Sequence, residues 1–287
     1  MSIKTIIFSK NRTLQLKSLL LSLRENSDFD EKACSIIYKA DPGLDYEPLK
    51  QEFDCEFIEQ GDFLADVKNA VSSSRADYFM FMVDDLICRD KVDFAMIEKL
   101  LNERADIDAF TLRLGKNIKC GQEPEFTELK NDILLWDTRD GQGRHWNYFW
   151  EMCCTIYRRP LVEEYLSKCR DDKETFPNPF ESHYYSCMPS SRKSKSMLVR
   201  LVNGLRFMFK RQTNRVACYR KSRCFTQGVN LVADIGQDRE EFFDPESLHK
   251  KMLEGYIVDF KSIRDAENEV PNPGREYFKL VKLDGTD

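Results

Sequence analysis

Apolar and polar positions along the chain alternate between two rhythms. Ile3 to Ser9 (IKTIIFS) is a short apolar run suited to a buried strand. After the polar turn Lys10-Asn11-Arg12, leucines at 16, 19, 20 and 23 recur at helical spacing, with Thr13 placed to cap the helix. Ala33 to Lys39 reads as the next strand, closed by the loop Ala40-Asp41-Pro42-Gly43. Tyr46 to Phe53 suits a helix and Cys55 to Ile58 a short third strand. Asp62 can cap a helix running to about Ser73, with Phe63, Val67, Ala70 and Val71 turned inward. The fourth strand is Tyr78 to Val83 (YFMFMV), apolar throughout, as expected where helices cover both faces of a parallel sheet. Four strand–helix alternations within about 85 residues predict βαβ units and an α/β fold with a mostly parallel sheet.

The second half is less regular. Val92 to Ala105 suits a helix, Ala109 to Leu114 a strand, and Lys116 to Asn131 is polar and irregular. Ile133 to Asp137 is a short strand, and Asp140-Gly141-Gln142-Gly143 a turn. An aromatic cluster, His145 to Met152 (HWNYFWEM), runs into a strand through Tyr157, and Pro160 opens a helix to about Lys168. Pro177 to Ser182 (PNPFES) reads as a loop before a helix. Further on come a strand near Ser222 to Val229, a helix from Pro245 to Glu254 stopped by Gly255, and a strand from Tyr277 to Leu283. At 287 residues this fits one large domain, with a 1–115 half and a 116–287 half.

A hydrophobic fraction of 41% and a charged fraction of 32% place the chain among soluble globular proteins, and no apolar stretch is long enough for a membrane span. The N-terminus lacks the apolar core of a secretory signal. Ten cysteines are scattered without a C-x-x-C, and Cys153 and Cys154 are adjacent, so they are expected to be reduced thiols of a cytoplasmic protein. Three distant histidines argue against structural zinc. The net charge of −5 disfavours a general nucleic-acid binder, but its distribution is uneven. Segment 192–223 holds 11 Lys or Arg and no acid, leaving the remainder at −16. Within it, Leu198, Leu201, Val202, Leu205, Met208 and Phe209 share one helical face, with Arg200, Arg206, Lys210 and Arg211 largely elsewhere. That predicts a basic amphipathic helix over 196–211. It would either lie on an anionic membrane surface, peripheral to the inner face of the membrane, or pack its apolar face on the domain.

Candidate chemistry gathers at the carboxyl ends of the first four strands, where ligands sit in open α/β sheets. The fourth strand ends on two adjacent carboxylates, Asp84 and Asp85. Such neighbours raise each other's pKa unless a cation shares the site. A divalent metal, Mn²⁺ or Mg²⁺, is the simplest such cation; the bland alternative is a helix cap or surface turn. The same edge should receive Phe8, Ser9, Lys10, Asn11 and Arg12 from the first strand and Asp41 from the second. Backbone donors, a cation and acids of this kind suit a nucleotide diphosphate.

These residues carry a resemblance. IIFSKNRTLQLKSLLLSL, followed later by YFMFMVDDLI, resembles the N-terminal half of GT-A-fold glycosyltransferases of the family-2-like kind found in bacterial surface-polysaccharide clusters. LADVKNAVSSSRADYFMFMVDD is similar to their passage into the D-x-D motif, and on that match Lys68 lies near the donor nucleotide or phosphates. FPNPFES, FTQGVNLV and LHKKMLEGYIVDF are similar to later family segments, in the expected order. The resemblance implies a nucleotide-diphosphate sugar donor, a glycan or lipid-linked acceptor, a metal at Asp84 and Asp85, and inversion at the anomeric carbon. The chain departs from the D-x-D-D version at Met82, where the first Asp would stand, which leaves the ribose contact open. An inverting transfer needs a carboxylate base. Glu181 is preferred for it and Glu151 second, while Trp146, Tyr148 and Trp150 are candidates to stack on an acceptor sugar. Two rivals stand beside this reading: an inactive carbohydrate-binding or scaffold protein, and a sugar-phosphate nucleotidyltransferase. The second is disfavoured because SKNRTLQL contains no glycine.

Overall fold

A computed structural model describes residues 3–141, 143, 145–170, 175–188, 214–230, 243–264 and 266–283. The first half runs β1 (Ile3–Lys10), α1 (Thr13–Asn26), β2 (Cys34–Lys39), α2 (Glu47–Glu52), β3 (Glu56–Glu59), α3 (Phe63–Ser72) and β4 (Tyr78–Val83). There follow β5 (Leu86–Cys88), α4 (Phe94–Glu103), β6 (Ala109–Thr111), β7 (Thr127–Glu128), β8 (Ile133–Asp137), β9 (Thr155–Arg158), α5 (Arg159–Leu166) and α6 (Pro177–Cys187). The described remainder holds β10 (Arg215–Tyr219), β11 (Cys224–Thr226), α7 (Pro245–Leu253), β12 (Tyr256–Val258) and β13 (Leu280–Lys282).

Among the described residues nine strands form one sheet, in the order β3-β2-β1-β4-β9-β6-β10-β8-β7. β3, β2, β1 and β4 are mutually parallel, and β9 runs against both β4 and β6. β10 is parallel to β6 and antiparallel to β8, which in turn opposes β7. Only β9 and β8 therefore run against the common direction, and the expected mostly parallel α/β sheet is observed. Pleating sends alternate residues of a strand to opposite faces. Ile7, Met80 and Met82 join a core with the leucines of α1 and with Ile97, Leu101 and Leu248. Ile6, Phe8, Phe79 and Phe81 join the opposite core, with Val67 and Val71 of α3, Val162 of α5 and Phe180 of α6. Both faces are covered, so the strands read as unbroken apolar runs. Each such buried side chain contributes roughly 1.5–3 kcal/mol.

Several local expectations shift. Asp62 caps α3 as expected, accepting from the Ala65 N–H at 2.8 Å. Thr13, however, is the first helical residue of α1, and Arg12 holds the cap position without a side-chain capping bond. Pro177 begins α6 itself, because a proline in the first helical turn gives up no intrahelical bond. Part of the basic segment is an inner strand, β10, between β6 and β8, and does not hang from the domain. The amphipathic stretch 196–211 lies outside the described residues. No described helix is long and apolar enough to cross a membrane, and none of the ten cysteines forms a disulfide.

Candidate active site

The carboxyl ends of β1, β2 and β4 meet at one edge of the sheet. Asn11 leaves β1 with φ 58°, a left-handed conformation that asparagine tolerates better than most residues. Its N–H donates to the Lys39 carbonyl at 3.1 Å. Its side-chain amide donates to Asp41 Oδ2 at 2.7 Å, and its Oδ1 accepts from the Asp41 N–H at 2.8 Å. This clasp pins the β2 loop to β1 and leaves Asp41 exposed. Phe8 differs from expectation: its ring lies in the core, 5.1 Å from that of Phe63, and its carbonyl accepts the Asp84 N–H at 3.1 Å. It positions an acid and presents no ring to a ligand. Lys68 lies mid-way along α3 and is half-buried.

Asp84 and Asp85 are nearly closed to solvent, 3% and 8% exposed. Asp84 Oδ2 accepts from Ser9 Oγ at 2.9 Å and from the Lys10 N–H at 3.1 Å, and Ser9 Oγ lies 2.8 Å from the Tyr46 hydroxyl. Arg12 Nη1 bridges the pair, 3.0 Å from Asp84 Oδ1 and 2.8 Å from Asp85 Oδ2. Its Nη2 donates to the Asn230 carbonyl. Burial raises both carboxyls, Asp84 to about 6, against the opposing pull of Arg12. For Arg12, burial lowers the pKa, but Asp85 and Asp84 outweigh it and the net direction is up. The chain thus supplies its own cation to the acid pair.

Three of the four carboxylate oxygens are engaged, while Asp85 Oδ1 is buried without a hydrogen-bond partner among the described residues. Among the described residues no three His, Cys, Asp or Glu side chains converge on a metal position. One free carboxylate oxygen is nevertheless a fitting donor for a cation that substrate phosphates complete, because Mg²⁺ is commonly held by one or two carboxylates plus phosphates. Asp85 fits that role. Asp84 is already committed to Ser9, Lys10 and Arg12.

Residues the sequence reading passed over close this edge. The Gln227 N–H donates to the Asp85 carbonyl at 2.7 Å, and Gln15 Nε2 donates to Asn230 Oδ1 at 2.9 Å. FTQGVNLV carried a family likeness, but nothing in its pattern says that it folds back onto Asp85. Tyr46 is likewise legible only as a helix-start aromatic.

The second half brings two glutamates to different settings. Glu151 is ion-paired with Arg113, both buried, and accepts from Thr111 Oγ1 at 3.1 Å and from Thr155 Oγ1. Burial lowers the Arg113 pKa, but Glu151 outweighs it and holds the guanidinium above its ordinary value. Glu151 is therefore a closed counterion, which corrects its candidacy as base. Glu181 accepts from the Tyr148 hydroxyl and the Met152 N–H, each at 2.7 Å. Burial raises its carboxyl despite these donors. Burial also raises the Cys153 thiol, which feels Arg113, Glu181, Glu151 and Asp85 at once; Cys153 marks where the two halves meet.

Trp146 and Trp150 do not offer stacking faces: both are fully buried. Trp146 packs against Trp136 and Phe126 at 5.5 and 5.4 Å, and Trp150 stacks on Tyr184 at 4.9 Å. The glycine turn before them serves this packing, since a Cβ on Gly141 would lie 2.6 Å from the Trp146 backbone. Tyr148 stays half-buried, stacked on Tyr185 at 4.6 Å.

No protein-family model matches the chain. It is similar to the bifunctional glycosyltransferase pgtA of Dictyostelium discoideum, 28% identical over 182 residues, which cover 54% of this chain and 24% of that protein. The chain thus spans about a quarter of the length of this curated relative. Among solved structures, Staphylococcus aureus TarS aligns over 93% of this chain and 44% of its own, at 12% identity and a TM-score of 0.49. A Pyrobaculum calidifontis mannosyltransferase in complex with GDP-Man and Mn²⁺ aligns over 65% and 52%, at 11% identity and a TM-score of 0.36. A Leptospira borgpetersenii cytidylyltransferase aligns over 65% and 73%, at 13% identity and a TM-score of 0.38. In sequence, the chain is thus similar to part of a glycosyltransferase.

Proposed function

We propose that this chain moves a sugar from a nucleotide-diphosphate donor to a glycan or lipid-linked acceptor, with a divalent metal and with inversion, in surface-polysaccharide synthesis. The observation that carries the reading is the unpartnered Asp85 oxygen beside Arg12, at the carboxyl edge of β1, β2 and β4. The sequence resemblance and the pgtA match support it.

In this reading Asn11 and Asp41 hold the nucleoside end, and Lys68 lies toward the phosphates. Ser9, Lys10 and Arg12 fix Asp84, while the Arg12 guanidinium faces the charge that grows on the departing diphosphate. Asp85 would hold Mn²⁺ or Mg²⁺, which when bound supplies Lewis-acid stabilisation to the leaving group. Glu181 takes the proton of the acceptor hydroxyl, with Tyr148 orienting its carboxylate. The acceptor binds from the side of Tyr148, and the 196–211 segment brings the protein to an anionic membrane surface.

The test is turnover of a panel of UDP-, GDP-, dTDP- and CMP-sugars with Mn²⁺ or Mg²⁺. One donor is expected to be hydrolysed or transferred, and Asp85→Asn should lower that rate by about 100-fold or more. Absence of binding for every donor with either metal would overturn the reading.

A further inference from the structure

The edge that holds Arg12 and the acids contains a set of buried polar atoms without hydrogen-bond partners among the described residues: Gln15 Oε1, Gln227 Nε2, Asn230 Nδ2, Arg12 Nε and Asp85 Oδ1. Gln15, Gln227 and Asn230 are each no more than 2% exposed. Hydrogen bonds join these residues into one cluster. Gln15 donates to Asn230, Arg12 to the Asn230 carbonyl and to Asp85, and Gln227 to the Asp85 carbonyl. Buried polar groups are nearly always satisfied, so several orphans at one place point to a missing occupant.

The chemistry of the orphans says what kind. A metal needs acceptors alone, and a phosphate needs donors alone. This wall offers amide and guanidinium N–H donors beside amide and carboxylate oxygen acceptors. A hydroxyl both donates and accepts, so a group bearing several hydroxyls is the matching ligand. The cluster also adjoins Asp85, which both Arg12 and the Gln227 N–H contact. We propose that Gln15, Gln227 and Asn230 form the subsite that reads the hydroxyls of the transferred sugar, and so set donor-sugar specificity. This rests on the proposed glycosyl transfer and deepens it. A site built to hydrogen-bond a hydroxyl rejects the analogue that lacks it, because its own polar groups are then left unpaired.

The experiment compares wild type with Gln15→Met and Gln227→Met. It measures affinity by calorimetry for the sugar nucleotide that wild type turns over, for its monodeoxy-sugar analogues, and for the same nucleotide without sugar. Wild type should bind the intact sugar nucleotide at least about tenfold more tightly than one of the deoxy analogues. The variants should lose that discrimination, weaken the intact donor by about tenfold or more, and bind the sugar-free nucleotide as wild type does. Unchanged thermal midpoints and sugar-free nucleotide binding would show that the variants fold. Equal losses for nucleotide with and without sugar, or discrimination retained in both variants, would overturn the subsite and assign the orphans to ordered water. If wild type binds neither nucleotides nor sugar nucleotides, the proposed function falls and the subsite with it; binding with unchanged discrimination removes the subsite alone.

Discussion

At the scale of single residues, Glu151 and Glu181 differ in how fully their carboxylates are used. Glu151 is surrounded by Arg113, Thr111 and Thr155, whereas Glu181 has two donors and half-buried surroundings. Spacing alone could not separate them, because Arg113 lies 38 residues upstream of Glu151 and only the fold brings it there. A paired substitution distinguishes the roles. Glu151→Gln leaves a buried guanidinium without its counterion and should cost about 3–5 kcal/mol in a denaturant titration. Glu181→Gln should leave stability nearly unchanged and lower turnover by about 10²–10⁴-fold. A base works ionised, and burial raises the Glu181 pKa, so turnover should rise with pH through a limb above the ordinary carboxylate range. Glu181→Gln should flatten that limb. Asp84 and Asp85 were legible as a charged strand end and Arg12 as a cation at the same edge, but only the fold shows that Arg12 bridges the pair.

At the scale of elements, the first four strands and their helices were readable because their periodicity is local. β10 was not. Its five residues, RVACY, sit in a segment whose eleven positive charges dominate any window, and its burial depends on β6 and β8. The prolines of PNPFES suggested a loop, since proline breaks a helix in its interior; in the first turn it does not. The chain returns toward β11 through a tight crossing at Gly115. A Cβ there would lie 2.6 Å from Ser222 N and 2.9 Å from the Arg220 carbonyl, atoms of backbone that cannot swing aside. Lys116 N–H also donates to that carbonyl at 2.8 Å. Gly115→Ala should therefore destabilise the fold by about 1–3 kcal/mol, read as a lowered thermal midpoint.

At the scale of the molecule, the two halves seen along the chain are interleaved within one sheet. β9 from the second half separates β4 from β6, and β10 separates β6 from β8. The strands of the 1–115 half are therefore not contiguous in the sheet, since β6 joins the others only through β9, so calorimetry should record one cooperative transition, with equal calorimetric and van't Hoff enthalpies. Two resolved transitions would mean that the 1–115 half holds together without its partner strands. Legibility stops at this scale, because a crossover of this kind leaves no local trace in the residues it joins. The placement of β9 also bears on synthesis. β4 leaves the ribosome long before its neighbour, and the stretch from Val83 to Arg158 takes roughly 4–15 s at about 5–20 residues per second. During that interval the apolar flank of YFMFMV has no strand to pair with, which makes the nascent chain, more than the finished protein, the form most in need of a chaperone.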